Sequence, residues 1–278
     1  GLNYGFAGAV SVPNVKAMLA VRVSGGFSRE AGWDDAYYGA FDGTPDETGV
    51  NVAKNDDIRV VALFRPADNV NIRAQYWKFR PRQGFTGFTA SVQPPYFQNT
   101  AGQEGFSNGD FTLYSLTATV DFDAFTITSA TSTTISEMPL TIFSMRRPTV
   151  SRRPMVPSAA RVSSRPPATP ASRLSKAEAL SPSGSFSSQF LPSMFAQVLR
   201  LNSNGSGPLK WLVGASYQNG SGPQENTLTL PAAVINADND TLTENYAFFG
   251  EVSYELFDGK LVPLVGLRQY HDDRAFAD

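Results

Sequence analysis

The sequence contains no cysteine and one histidine, His271, and nowhere does it run eighteen apolar residues together. The first absence excludes a disulfide-stapled scaffold and any thiolate metal site. A lone histidine at a strand end reads as a solvated rim residue rather than a ligand or a base. The lack of a long apolar run excludes a transmembrane helix. It leaves a membrane β-barrel open, because only alternate residues of such a strand meet lipid. No phosphate loop or dinucleotide fingerprint occurs either. What the 278 residues do have is 41% apolar content, a net charge of −2 and many aromatics: 20 Phe, 10 Tyr and 3 Trp.

Ten stretches of strand length follow one another, and their connections alternate between short and long. The short ones are Val12 to Val15, Pro66 to Asn69, Asp121 to Ala124, Asn202 to Pro208 and Phe257 to Lys260. Between them lie four polar excursions, Arg29 to Asp56, Pro81 to Asp110, Glu137 to Ser187 and Asn219 to Leu242. Compact soluble domains rarely hold one unstructured loop beyond about 15 residues. A membrane barrel has tight turns at its periplasmic end and long loops outside.

Period-2 alternation marks the strands. Leu19, Val21, Val23 and Phe27 share one face, with Arg22 and Ser24 on the other. Val70, Ile72, Ala74 and Tyr76 oppose Asn71, Arg73, Gln75 and Trp77. Trp211, Val213, Ala215 and Tyr217 oppose Gly214, Ser216 and Gln218, and Phe248, Val252, Tyr254 and Leu256 oppose Glu251, Ser253 and Glu255. A sandwich turns its apolar face to a core, whereas a wide barrel turns it to lipid and wets the other. Several runs exceed the soluble mode of about 5–6 residues and reach the 9–11 or so that cross a bilayer. Phe64, Phe79, Phe122, Phe125, Tyr217 and Phe257, near strand ends, are expected in interfacial girdles. The fold expected is all-β: an antiparallel transmembrane barrel, about ten strands of a larger one.

Met138 to Gly184 differs from its surroundings, with eight Lys and Arg against one acid, and eight prolines. Without it the chain is strongly acidic. It reads as a disordered loop, as a stretch translated out of frame, or as a basic nucleic-acid or lipid tract. The lack of interleaved aromatics argues against nucleic acid as a partner. The chain accordingly divides into strands over 1–136, this loop over 137–187, and strands over 188–278.

Tyr4 to Val10, Phe195 to Leu201, Trp211 to Tyr217, and Gly250 to Leu256 followed by Leu261 to Arg268 resemble, in order and hairpin spacing, the barrel of TonB-dependent outer-membrane receptors. The resemblance covers most of the chain outside 138–184. It implies a 22-stranded barrel in the outer membrane of a Gram-negative bacterium, closed by an N-terminal plug, with a TonB-contacting segment before the plug. It implies uptake of iron–siderophore complexes, cobalamin or glycans, hence a transporter without cofactors and not an enzyme. The first and last residues fall within the strand pattern, so a partial barrel without plug or closing strand is expected. A fragment of this kind should not transport alone, since open sheet edges are not tolerated in hydrocarbon. A porin-like channel and a secreted all-β binding domain are the rival readings.

Cargo recognition is expected from exposed loop aromatics, Trp33, Tyr37, Tyr38, Phe85, Phe88 and Tyr96, which supply rigid amphipathic contact area. Arg73 and Arg22, on the wet face, would attract anionic cargo. Other motifs are weaker. Gly105 to Gly109 fits G-x-S-x-G but lacks the strand–turn–helix setting of a nucleophile elbow. Asp34, Asp35, Asp42 and Asp46 lack EF-hand spacing and read as solvated acids.

Overall fold

The computed structural model describes residues 1–13, 18–36, 45, 47–84, 98–99, 103–145, 185–230 and 232–277. Its main sheet comprises thirteen strand segments, which the registers join into ten long antiparallel strands. These are β1 (Tyr4–Pro13), β2 (Leu19–Glu30), β3 (Ala53–Ala67), β4 (Val70–Gly84), β5 (Gln103–Asn108 with Asp110–Asp121) and β6 (Phe125–Met145). Then come β7 (Ser185–Phe190 with Ser193–Ser203), β8 (Leu209–Ser221 with Gln224–Leu230), β9 (Ala233–Tyr254) and β10 (Leu264–Ala277). Each pairs with its neighbours in sequence, a simple meander.

Two of the interruptions contain a proline, which has no N–H to give the ladder. Pairing carries through them all the same. Ser136 N–H donates to the Pro192 carbonyl at 2.9 Å, and Leu191 N–H donates to that of Pro223 at 3.0 Å. At the third, Gly109 N–H donates to the Pro81 carbonyl at 2.7 Å.

The five short connections lie at one end of the sheet. The last of them turns at Asp258-Gly259, where both residues have positive φ (54° and 80°) and Lys260 N–H reaches the Phe257 carbonyl at 3.3 Å. An Asp-Gly pair is suited to such a turn because its backbone twist matches that of the strands.

At the other end the strands run further than sequence pattern suggested. The expected excursion from Asn219 to Leu242 is instead a paired hairpin, Gln224 to Leu230 against Ala233 to Asn239. Its polar side chains disguise it, but ladder hydrogen bonds need only backbone. Strand β6 likewise continues past Glu137 and pairs with Ser185–Phe190. Residues 146–184, most of the basic tract, lie outside the described residues. A small second sheet joins Asp35–Ala36 to Glu47–Thr48 and, in parallel, to Gln98–Asn99.

The registers put most of the apolar residues of the ten strands on one face. Val12 faces Val21, which faces Ala62, then Ala74, Leu116 and Thr131 in turn. Gln197, Tyr217, Tyr246 and His271 continue that row. This face stays open: Phe6 is 67% exposed, Phe248 60% and Leu267 80%. Ala247, on the other face, is the one buried apolar residue among the described residues. Three polar residues at the middle of the apolar face satisfy one another. Gln197 Nε2 donates to Ser129 Oγ at 3.0 Å, and the Thr131 hydroxyl donates to Gln197 Oε1.

Candidate functional site: the polar wall

The face opposite the apolar one is a wall of hydroxyls, amides and guanidiniums. Down its middle run Ser115, Thr117 and Thr119 of β5 beside Thr128, Ser132 and Thr134 of β6. Arg22, Arg59 and Arg73 cluster on β2, β3 and β4, where Ser24 is registered with Arg59 and Leu63 with Arg73. Arg59 and Arg73 both donate to Gln75 Oε1, at 2.8 and 2.7 Å, and Arg22 donates to Ser11 Oγ at 3.1 Å. None of the three has an ion-pair partner among the described residues. Three guanidiniums held by neutral acceptors keep their positive charge, and clustered like charges attract anions.

Toward the long-loop end the same wall becomes aromatic. The Trp77 ring lies 6.2 Å from Phe79 and 5.3 Å from Phe111, edge-on to the latter at 70°. Phe79 was expected in a lipid-facing girdle. It has the parity of Trp77, so it lies on the polar face and that expectation is corrected. Further round, Arg200 stands 5.9 Å over the Phe249 ring. That ring lies across Gly214, where an added Cβ would come within 2.5 Å of it. Local sequence pattern does not link Arg59, Gln75, Trp77, Phe111 and Arg200, because their placement on the wall depends on register between strands.

Of the expected cargo-contacting residues, Arg73 lies in this cluster. Trp33 is 62% exposed in the β2–β3 connection, well away from it along the chain. Tyr37, Tyr38, Phe85, Phe88 and Tyr96 lie outside the described residues. The Trp33 segment is held by Asn51, whose Oδ1 accepts from Trp33 N–H at 2.7 Å and Asp34 N–H at 2.9 Å. Burial raises the Asp34 carboxyl above its ordinary pKa. The Asp35 backbone hydrogen bond opposes this, and the Asp35 charge adds to it.

Among the described residues, no cluster of three or more His or acidic side chains could hold a metal ion. Asp42 and Asp46 of the expected acidic group are not described. Ser107 of the G-x-S-x-G string lies within the first segment of β5, with a further strand after it and no helix. His271 Nε2 lies 2.9 Å from Asp273 Oδ2 on the apolar-face side of β10, and its ring is 4.9 Å from that of Tyr246.

No family model matches the sequence, and no curated protein matches it. Solved structures do match in fold. The ferric yersiniabactin uptake receptor FyuA from Yersinia pestis superposes with a TM-score of 0.65 at 10% identity, over 99% of this chain and 41% of that one. For the ferric citrate transporter FecA the values are 0.63, 11%, 96% and 34%. For the outer membrane transporter YddB from Escherichia coli they are 0.56, 8%, 99% and 35%. The chain therefore spans about two fifths or less of these proteins. Its fold is that of part of a TonB-dependent receptor barrel, and the similar structures are uptake receptors and transporters.

Proposed function

We propose that this chain forms part of the barrel wall of an outer-membrane TonB-dependent receptor that takes up ferric siderophores or comparable large, scarce nutrients. The observation that carries the reading is the predominantly apolar face that runs through all ten strands and is left uncovered. In water such a face would expose far more contiguous apolar surface than soluble proteins tolerate. In a bilayer it meets lipid, and the mutual hydrogen bonding of Ser129, Thr131 and Gln197 meets the requirement that polar groups there be satisfied internally.

On this reading the Arg22, Arg59 and Arg73 cluster faces the lumen and draws in anionic cargo, with Trp77, Phe79 and Phe111 above it as an apolar contact surface. The loop aromatics Trp33, Tyr37, Tyr38, Phe85, Phe88 and Tyr96 make first contact. TonB acts through a plug and its leading segment, neither of which these strands supply. Uptake of labelled ferric siderophores by cells carrying or lacking the gene, with and without TonB, tests this. Saturable uptake that needs both supports it. Non-saturable, TonB-independent permeation would point to a passive channel, and a water-soluble monodisperse product to a secreted binding domain.

A further inference from the structure

The apolar face ends in charge at the long-loop end, and the described residues of its two halves differ in sign. On β2 to β5 the positions continuing this face past Phe27, Ile58, Tyr76 and Tyr114 are Arg29, Asp56, Lys54, Lys78, Arg80, Arg82 and Asp110. Five are cations and two are carboxylates. On β6 to β10 the continuing positions among the described residues include Glu137, Glu225, Asp238, Asp240, Glu244 and Asp273, and no Lys or Arg.

The side chains confirm the parity. Lys78 Nζ meets Asp110 Oδ2 at 2.9 Å and Arg82 Nη1 meets Asp56 Oδ2 at 3.7 Å, diagonal pairs possible only on one face. Arg29 leans over the Tyr4 ring at 6.0 Å. Lys54 and Arg80 are exposed and have no ion-pair partner among the described residues. Beneath them the Tyr76 and Tyr114 rings, 5.3 Å apart, mark the boundary of the apolar band.

We propose that this β2–β5 sector binds the phosphate-bearing headgroup of a bilayer lipid. The inference rests on the membrane reading above, which places lipid against Val60, Ala62 and Ala74 and the headgroup layer at Lys54, Lys78, Arg80 and Arg82. Guanidinium forks match phosphate oxygens bidentately, and basic residues at a bilayer surface attract anionic lipid with additive strength. The carboxylates described on β6 to β10 repel the same headgroup and offer it no comparable site.

The test uses the protein as the cell makes it, reconstituted in phosphatidylcholine bilayers containing spin-labelled phosphatidic acid. The immobilised fraction of the labelled lipid is compared with that of spin-labelled phosphatidylcholine. The wild type should prefer phosphatidic acid, and K54Q/R80Q, which leaves both ion pairs intact, should lose about fivefold or more of that preference. E225Q/D238N should not lose it, and excess inorganic phosphate should not displace the lipid. Equal preference in wild type and K54Q/R80Q overturns the proposal, as does displacement by free phosphate. Insertion is read separately, from a spin label at Val213. A label in water would sink the membrane reading and this proposal with it, whereas a label in lipid without headgroup preference would sink only this one.

Discussion

Arg59 and Arg73, on neighbouring strands, both point their guanidiniums at one neutral acceptor, the side-chain oxygen of Gln75, at 2.8 and 2.7 Å. An amide can fix two such groups in place without cancelling their charge. A carboxylate there would form an ion triad and silence the field.

Gln75→Glu should therefore weaken capture of an anionic ferric complex while leaving the barrel intact. The expected effect is about a tenfold slower association at low salt, converging with wild type as ionic strength rises. Stopped-flow binding across a salt series measures this. An unchanged association rate at low salt would show that the cluster does not steer cargo.

The two faces should respond oppositely to charge. Val213 is on the apolar face and Ser216 on the polar one. Val213→Arg should cost about 2–4 kcal/mol if it sits near the bilayer midplane, and less toward the interface. Ser216→Arg should cost little, since its side chain meets water. Urea titrations in lipid vesicles compare the two. Equal costs, or the reverse order, would contradict the assignment of faces.

In the β9–β10 turn, Phe257 and Asp258 are held at φ values of 53° and 54° and Gly259 at 80°. A side chain in this region costs about 1–2 kcal/mol. Gly259→Val should destabilise by at least that much, and Phe257→Gly should recover part of it, both read by the same titrations. The phenylalanine is 72% exposed, so little packing is lost on its removal.

The carboxyl of Asp34 is raised by burial, and its Oδ1 has no hydrogen-bond partner. A folded-state pKa above the unfolded one means that the folded segment binds the proton more tightly. Its stability is then highest in acid and falls as pH rises through the folded value. Exchange of the Val50 amide, which donates to the Asp34 carbonyl at 2.8 Å, should therefore accelerate with pH more steeply than intrinsic chemistry predicts in the ordinary carboxylate range and above. Asp34→Asn should remove that pH dependence and protect Val50 at neutral pH. Protection independent of pH in the wild type would contradict this.

Which residues share a face was legible in the sequence, because a period of two survives any error in strand length. Arg22 and Ser24 opposite Val21 and Val23 needed no partner strand to be placed. The outer ends were not legible. Gln224 to Leu230 and Ala233 to Asn239 pair through backbone, and a strand polar on both faces carries no alternation to read. Phe79 was misplaced for a related reason: an aromatic near a strand end suggests a girdle, and only its parity with Trp77 turns it inward. The convergence of Arg59 and Arg73 on Gln75 depends on how β3 is registered against β4, and local pattern does not encode register.

The most direct test is a set of spin labels in lipid bilayers at Val21, Val213 and Val252, with their opposite-face neighbours Arg22, Ser216 and Ser253. The valine positions should be accessible to oxygen and shielded from a water-soluble nickel chelate, and the other three should show the inverse. Chelate access at the valines, or protection of all six from both reagents, would contradict a wall with lipid on one side and water on the other.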